Sequence, residues 1–550
     1  MLKKAVTDNY QLQAAFDQIP GYRHYVENLV GKICHSSTHT GGVVISSESL
    51  MDIVPMGRDK DSGLPTIQLD HRDIEKIGQV KFDILSLQVL DTIDNCVSMI
   101  EQRHNTKINW DEIGLDDEKT YELLATGNAD GVFQFEKYGA QELIRKMEVS
   151  NFNELCAASA LNRPGPISNH MPESYVSRKF GLEAVHYPHP SLEPVLTDTR
   201  GIFIFQEQVM TTAKVMAGYD DTEADDFRKA MGKKDTAKME AQREKFINGC
   251  LNNGIAKSDA ERVFNIIEKF AGYGFNRAHT VAYTIITYRM AYLKTNYPLE
   301  FMCAAVNTAI GNKDQYFKYI KEARRLGFSF MSPDINSSDR GMIPVLNNRM
   351  LLGLRCIKKV GDKVVVELMN KRPFSGMADF YDRINKKIVH KGIVENLIAS
   401  GVFSRFGERG EVREEYYSLR KSDIPKNSFP SETEIFGFHV TRHPVEIARD
   451  RFRSGPMTVS DLKDCPWDET EAVIMINAIK VIQDRNGGTM AFIKIEDHTG
   501  EMDFVIFSDI YSQYGHALKE GSIYWVNVKR SDRGSWIVQH LETIRAPATA

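Results

Sequence analysis

The spacing of apolar positions changes along the chain, and each change predicts a different kind of element. Up to about residue 35, Tyr10, Leu12, Ala15, Phe16 and Ile19 recur at helical spacing; Pro20-Gly21 breaks the run and Tyr22 to Ile33 resumes it. From Thr40 to Asp83 short β-branched runs take over, Val43-Val44-Ile45 and Val80-Lys81-Phe82-Asp83, with turns at Pro55, Gly57, Gly63 and Pro65. Residues 89 to about 335 are dominated by long amphipathic helical patterns. In one of them Ser258 and Glu261 have the spacing of a capping box, followed by the stripe Val263, Ile266, Ile267 and Phe270. Gly272 and Gly274 interrupt it, and a second helix is expected from about Arg277 to Asn296, stopped by Pro298. Two short helical hairpins are expected within 350–405, and the charged stretch 406–432 reads as a linker. Beyond residue 470 the period becomes two. Five short strands, around Val473–Ile479, Ala491–Ile495, Phe504–Phe507, Tyr524–Val528 and Trp536–Val538, predict a small barrel of the oligonucleotide-binding (OB) type.

Composition narrows the function classes. At 550 residues the chain has room for about three or four domains. With 42% hydrophobic and 26% charged residues it is not a disordered chain, and no run of apolar residues is long enough to span a membrane. Met1 to Asp8 lacks the apolar run of a signal peptide, so a cytoplasmic location is expected. A formal net charge of -5 excludes an indiscriminate nucleic-acid binder; any DNA site must be a local patch. The seven cysteines never form a CxxC pair and read as buried, reduced thiols rather than zinc ligands.

Five places could carry chemistry. Asp83 ends a strand that looks buried, and Lys81 shares its face because side chains alternate. That pair suits a magnesium ion and a phosphate, or Asp83 merely caps the next helix. The run Phe227 to Lys234 holds four cations, Arg228, Lys229, Lys233 and Lys234, with no acid among them. It could grip a triphosphate or be a solvated helix end. In Phe270 to His279, glycines permit close backbone approach, Tyr273 and Phe275 offer flat faces, and Arg277 and His279 start a helix whose positive end attracts anions; equally, the glycines join two helices and the aromatics are core. Arg163 precedes the rigid turn Pro164-Gly165-Pro166. Finally, Tyr524, Trp525 and Lys529 of the barrel could form a stacking and phosphate surface for single strands, or belong to the barrel core.

Taken in order, these segments resemble a known family. His35 to Ile45, Val80 to Leu85, Gly131 to Glu136, Leu161 to Pro166, Phe205 to Met210, Ala230 to Lys234 and Phe270 to His279 look like the motifs of the bacterial replicative DNA polymerase III alpha subunit, the C family, across about residues 20 to 545. The resemblance implies an α+β multidomain fold: a remnant of the thumb (1–35), the C-terminal part of a nucleotidyltransferase-type palm (36–88), large helical fingers (89–345), a helix-hairpin-helix and linker region (346–450), and an OB domain (465–546). It makes Asp83 the third catalytic carboxylate of the palm and a metal ligand. Lys81 becomes the palm lysine near the incoming triphosphate. Arg228 and Lys229 fall where the family carries an Arg-Arg pair, so Lys229 is a substitution that keeps charge but loses the planar fork. Arg163, Lys233, Arg277 and His279 complete the expected dNTP-binding set. DNA contacts are expected from Lys358, Lys359 and Gly361 of the hairpin and from Tyr524, Trp525 and Lys529 of the barrel. Val360-Gly361-Asp362 stands where a Gly-x-Gly is expected.

The family also carries a PHP domain, an Asp-x-Asp palm pair and most of a thumb, none of which is found in these residues. Asp59/Asp61 and Asp70/Asp73 have the wrong flanks to be that pair. Two-metal phosphoryl transfer needs carboxylates from more than one strand. The expectation is therefore the fingers-bearing part of a split polymerase, of the kind a phage could encode, that is inactive until a second polypeptide with the PHP domain and the Asp-x-Asp palm half completes a site for two Mg2+ ions. Primer-template DNA and dNTP are the expected substrates. A sliding clamp is a further partner, although no clear clamp peptide is seen and Phe429 to Phe436 occupies that neighbourhood. The alternatives are a non-catalytic DNA-binding remnant or decoy, or a shortened piece of a full polymerase.

Overall fold

The computed structural model describes residues 16, 21–32, 37–39, 41–59, 62–84, 86–233, 236–270, 274–425, 430–440, 443–452, 455–463, 465–483, 487–531 and 534–544, and the side chains of 71–72, 231–233 and 236–238 are not among them. Cys34, Lys234, Tyr273 and most of the first expected helices lie outside the described residues, as does the Lys233 side chain. The chain divides into two units, 1–87 and 88–550.

In the first unit β1 (Gly42–Ile45) pairs antiparallel with β4 (Val80–Asp83), placing Gly42 opposite Asp83 and Val44 opposite Lys81. A separate hairpin joins β2 (Met56–Arg58) to β3 (Pro65–Ile67). Its turn is held by Asp59, whose Oδ1 accepts the Ser62 N–H and hydroxyl, both at 2.8 Å. The expectation of a buried strand at 80–83 is corrected: Val80 is 55% and Phe82 49% exposed. A two-stranded ribbon offers each strand one neighbour and no covering layer, so β-branched composition alone does not bury it.

The second unit begins with α1 (Gln88–His104). Helices α2 (Phe152–Leu161), α3 (Gln206–Ala217), α4 (Asp221–Lys233), α5 (Thr236–Asn252), α6 (Lys257–Phe270), α7 (Arg277–Asn296), α8 (Pro298–Ala309) and α9 (Lys313–Arg325) follow. α7 has the bounds its sequence predicted, because Asn276 caps its start, accepting the His279 N–H at 2.7 Å. α6 differs: it starts at Lys257, so Ser258 lies inside the first turn and does not cap it. Its buried stripe is Ala260, Val263, Phe264, Ile267 and Phe270, while Ile266 faces outward.

Two cores result. One gathers α1, α2, α7, α8 and α9 and continues without a break into residues 328–440. The other is local to 192–270, where Phe227, Phe246 and Phe264 form a triad with ring centroids 5.8–5.9 Å apart. After α9, a three-stranded sheet (β5 Ser329–Met331, β6 Ile343–Val345, β7 Arg349–Leu351) leads to α10 (Asp362–Asn370), α11 (Met377–Arg383), α12 (Lys391–Ala399) and α13 (Arg409–Arg420). The last corrects the linker expectation. Val412, Arg413, Tyr416 and Tyr417 are buried on one face of α13, so its many charges mark only the outward side.

The final five strands close into a barrel in the order β10-β12-β11-β8-β9, with β8 Glu469–Gln483, β9 Thr489–Glu496, β10 Glu501–Ile506, β11 Ile523–Arg530 and β12 Trp536–Ile544. β8 is long enough to pair with β11 in its first half and β9 in its second, its register shifting between Ile476 and Ala478. The parallel pairing Phe504 to Trp536 shuts the barrel, which leaves no open edge. Cys96, Cys156, Cys250, Cys303, Cys356 and Cys465 are buried free thiols, as their spacing suggested. No helix among the described residues is long and apolar enough to cross a membrane.

Candidate functional site

At the edge of the first unit, Lys81 bonds directly to the Asp83 carboxylate. The two side chains are neighbours because positions two apart in a strand share a face. His39, which was not singled out from the sequence, stands 3.8 Å from Asp83 Oδ1 while its Nδ1 accepts the Gly41 N–H at 3.3 Å. A Cβ on Gly42 would come within 2.9 Å of that ring, so the glycine makes room for it. α1 begins only at Gln88, so Asp83 does not cap it. Among the described residues no group of three or more His, Cys, Asp or Glu is set to hold a metal. One carboxylate already bonded to a lysine does not fit a two-ion centre by itself.

The fingers bring several separated motifs to one place. The backbone of Gln206, at the start of α3, donates to Phe275 O at 2.8 Å, and Phe275 N–H donates to Ile204 O at 3.2 Å. This stitch fixes the turn before α7 against α3. Gly274 is needed here, since a Cβ would meet the Phe270 ring at 2.5 Å. The Gln206 side chain then spans the join, donating to Gly274 O at 3.2 Å and accepting from Arg228 of α4 at 3.4 Å. On the other side the Arg163 guanidinium lies 4.0 Å over the Phe275 ring and donates from Nε to Ala160 O. Burial lowers its pKa. His279 continues the line, 5.5 Å from Phe275 and 4.3 Å from Tyr283 between ring centroids. Arg163, Arg228, Phe275 and His279 thus form one connected cluster. Gln206 and Glu207, which link it, sat in plain view beside the quoted Phe205 motif but carried no charge pattern to single them out.

The cations here are not bare, although no acid lies within the run itself. Asp225, one turn earlier on α4, pairs with both Arg228 and Lys229 at 2.8 Å, and Asp226 lies 3.6 Å from Lys229. The Lys229 ammonium and then the Arg228 guanidinium hold Asp225 below the usual carboxylate range. The start of α7 is also filled from within. Glu207 accepts the Arg277 N–H and the Asn276 amide, both at 2.8 Å, and the Arg277 guanidinium meets Asp198 at 3.3 Å. The anion position implied by the helix end therefore exists, and a carboxylate of the chain occupies it.

In the hairpin, Lys358 and Lys359 are exposed and Gly361 is the extended N-cap of α10. Lys359, at φ +69°, takes the left-handed conformation that glycine adopts freely. The Gly-x-Gly register is therefore Lys359-Val360-Gly361, one residue earlier than the sequence suggested. A Cβ on Gly361 would meet nothing within 4 Å, so open space lies in front of this turn. Asp362 is neutralised by Arg340 at 2.8 Å and Arg355 at 3.4 Å, two residues the sequence did not point to.

In the barrel, parity decides the aromatics. Tyr524 faces inward and is fully buried, its hydroxyl donating to Ala517 O and accepting the Lys519 N–H at 2.8 Å; it is core, correcting the stacking expectation. Trp525, Asn527 and Lys529 form the outward row, with Trp525 half-buried against His540. A further outward aromatic, Phe492 on β9, is 41% exposed and paired across to Lys480. β9 and β10 are the second and third strands, the face on which this type of barrel takes oligonucleotides.

A helical bundle carrying a cationic cluster, a module of helical hairpins and a closed five-stranded barrel define a multidomain α+β protein. Family comparisons agree segment by segment. Residues 1–86 match the bacterial DNA polymerase III alpha NTPase domain and 89–254 the finger domain of the same subunit. Residues 327–412 match the helix-hairpin-helix motif and 474–543 the OB-fold nucleic acid binding domain. The chain is 34% identical over 533 residues to the DNA polymerase III subunit alpha of Aquifex aeolicus, covering 92% of this chain and 46% of that one. Against the Bacillus subtilis subunit it is 33% identical, with 93% and 49% covered, and against that of Thermus aquaticus 32%, with 94% and 46% covered. Over the part it spans, just under half the length of these relatives, the chain is similar to the bacterial DNA polymerase III alpha subunit family.

Proposed function

We propose that the chain supplies the fingers, the duplex-holding hairpins and the OB barrel of a replicative DNA polymerase. The observation that carries this is the convergence of Arg163, Gln206, Arg228, Phe275 and His279, from separate motifs, on one cationic and aromatic surface. The reaction is attack of a primer 3′-hydroxyl on the α-phosphate of a dNTP, with pyrophosphate leaving. Arg228 and Lys229 exchange Asp225 for the triphosphate, and Phe275 with His279 offers the base a flat edge. Lys81 neutralises phosphate charge, releasing Asp83. Asp83 would contribute one carboxylate to a magnesium centre whose remaining ligands would come from outside these 550 residues, in this proposal from an Asp-x-Asp palm segment on a partner polypeptide. Such ions would supply charge neutralisation at the transferred phosphoryl group.

Primer extension tests this, using the chain alone, a PHP-and-palm segment alone, and the mixture. Extension is expected only in the mixture and is expected to vanish with Asp83→Ala; extension that survives that substitution overturns the role of Asp83. A second reading, a non-catalytic DNA-binding remnant, draws on the Lys81–Asp83 bond, which leaves the palm edge neutralised. Salt-sensitive DNA binding without extension in any mixture would select it.

A further inference from the structure

We propose that the recess between α11, α12 and α13 binds a free polyphosphate anion, a site separate from the fingers cluster and from the Lys358–Gly361 turn. The recess has a volume of about 250 Å3, and Lys386, His390, Lys391 and Arg420 converge on it with no carboxylate in its lining. Among the described residues no ion pair engages Lys386, Lys391 or Arg420. Lys386 instead stands 3.7 Å over the Tyr381 ring and Lys391 is 5.0 Å from that of Tyr417, while Arg420 lines the recess beside Tyr416. At exposed positions such cation–π contacts are weak, so a multivalent anion displaces them readily. In the fingers, by contrast, Arg228, Lys229 and Arg277 each hold an acid.

The shape selects the ligand. Phe380, Val394 and Tyr416 form a buried floor, so the recess is fixed by packing. α12 starts within it, His390 being its N-cap and Lys391 its first residue, which adds the positive end of the helix to the side-chain charge. At a liquid share of about 30 Å3 per water, the space holds about eight waters. That accommodates two or three linked phosphoryl groups but not a nucleoside as well. A duplex presents its phosphates singly along a convex backbone, whereas three cations and a histidine closing on one concavity match several charges on one compact ion. The hairpin residues Lys358, Lys359 and Gly361 take no part in the lining.

The test is calorimetric titration of the full chain with inorganic tripolyphosphate at low salt, in an Arg228→Gln background that weakens the fingers cluster. One saturable event is expected, weakened about tenfold or more by Lys391→Ala and independently by the double variant Lys386→Gln/Arg420→Gln. Two differently placed variants guard against a folding defect in either. Absence of saturable binding, or binding indifferent to both variants, overturns the proposal. So does complete displacement of tripolyphosphate by duplex DNA, which would place the recess on a DNA path instead.

Discussion

The fingers cluster and the α11–α13 recess are both cationic, but they handle charge in opposite ways. In the fingers Arg228, Lys229 and Arg277 are each met by an acid of the same chain, Asp225 and Asp226 on α4 and Asp198 before α3. In the recess the cations rest on tyrosines. An internally paired cation gives up a partner when it binds an anion, so its affinity is set by a difference; an unpaired one binds outright. The two regions also stand on different foundations, a small local core of its own under α3–α6 and the long continuous core under α10–α13.

The difference in foundations is the first thing to break. Phe246 is fully buried between Phe227 and Phe264. Phe246→Ala is expected to cost about 3–5 kcal/mol, concentrated in 192–270. Hydrogen exchange should show α4 and α5 losing protection while α10–α13 keep theirs. Equal loss in both would show that the two cores unfold as one.

A second test uses pH on the other foundation. Where the hairpin module adjoins the barrel, Arg324 donates to the His439 carbonyl, and burial, with the nearby His443 charge, pushes the His439 imidazole down to about 4. The unfolded chain takes up this proton near 6.5 and the folded one does not until about 4. Stability from this group is therefore complete above pH 6.5 and is lost as pH falls toward 4, by about 1–2 kcal/mol after discounting for partial exposure. Denaturant midpoints of the native chain and of His439→Gln should diverge in that window and agree above it. A native midpoint that is flat from pH 6.5 to 4 sinks the assignment.

At the hairpin itself the expected effect is smaller. Lys359 holds φ +69° against its Cβ, so Lys359→Gly relieves strain but loosens the unfolded chain. A net gain of up to about 1 kcal/mol is expected, read as a rise in the denaturant midpoint. A loss would mean the lysine side chain, not the backbone, stabilises the turn.

Legibility followed the same division between pattern and pairing. α7 was readable because Asn276 and Pro298 bracket an apolar pattern, and the barrel because alternation recurs between glycine turns. Lys81 and Asp83 were placed together by parity alone. The same parity was present in Tyr524-Trp525-Val526-Asn527-Val528-Lys529, where the polar Asn527 and Lys529 mark the outward row and assign Tyr524 to the core. α13 escaped notice because its charges outnumber the buried stripe of Val412, Tyr416 and Tyr417. Pairing was not legible in the basic run, because the acids that answer Arg228 and Lys229 lie three and four residues upstream, outside any window drawn around the cations. Nor could spacing show that Glu207 would fill the helix end at Arg277, some seventy residues away.

The last test acts on that pairing with the least structural cost. Asp225, Arg228 and Lys229 are partly exposed, so Asp225→Asn is expected to leave the denaturant midpoint nearly unchanged. Binding is where the effect should appear. The two cations no longer give up a solvent-screened ion pair, so affinity of the fingers for a labelled nucleoside triphosphate should rise, by up to about fivefold. The recess, whose cations never had that partner, should bind tripolyphosphate with unchanged affinity. If Asp225→Asn instead weakens the triphosphate, Asp225 orients Arg228 for binding, and the contrast between paired and unpaired cations is one of geometry more than of charge.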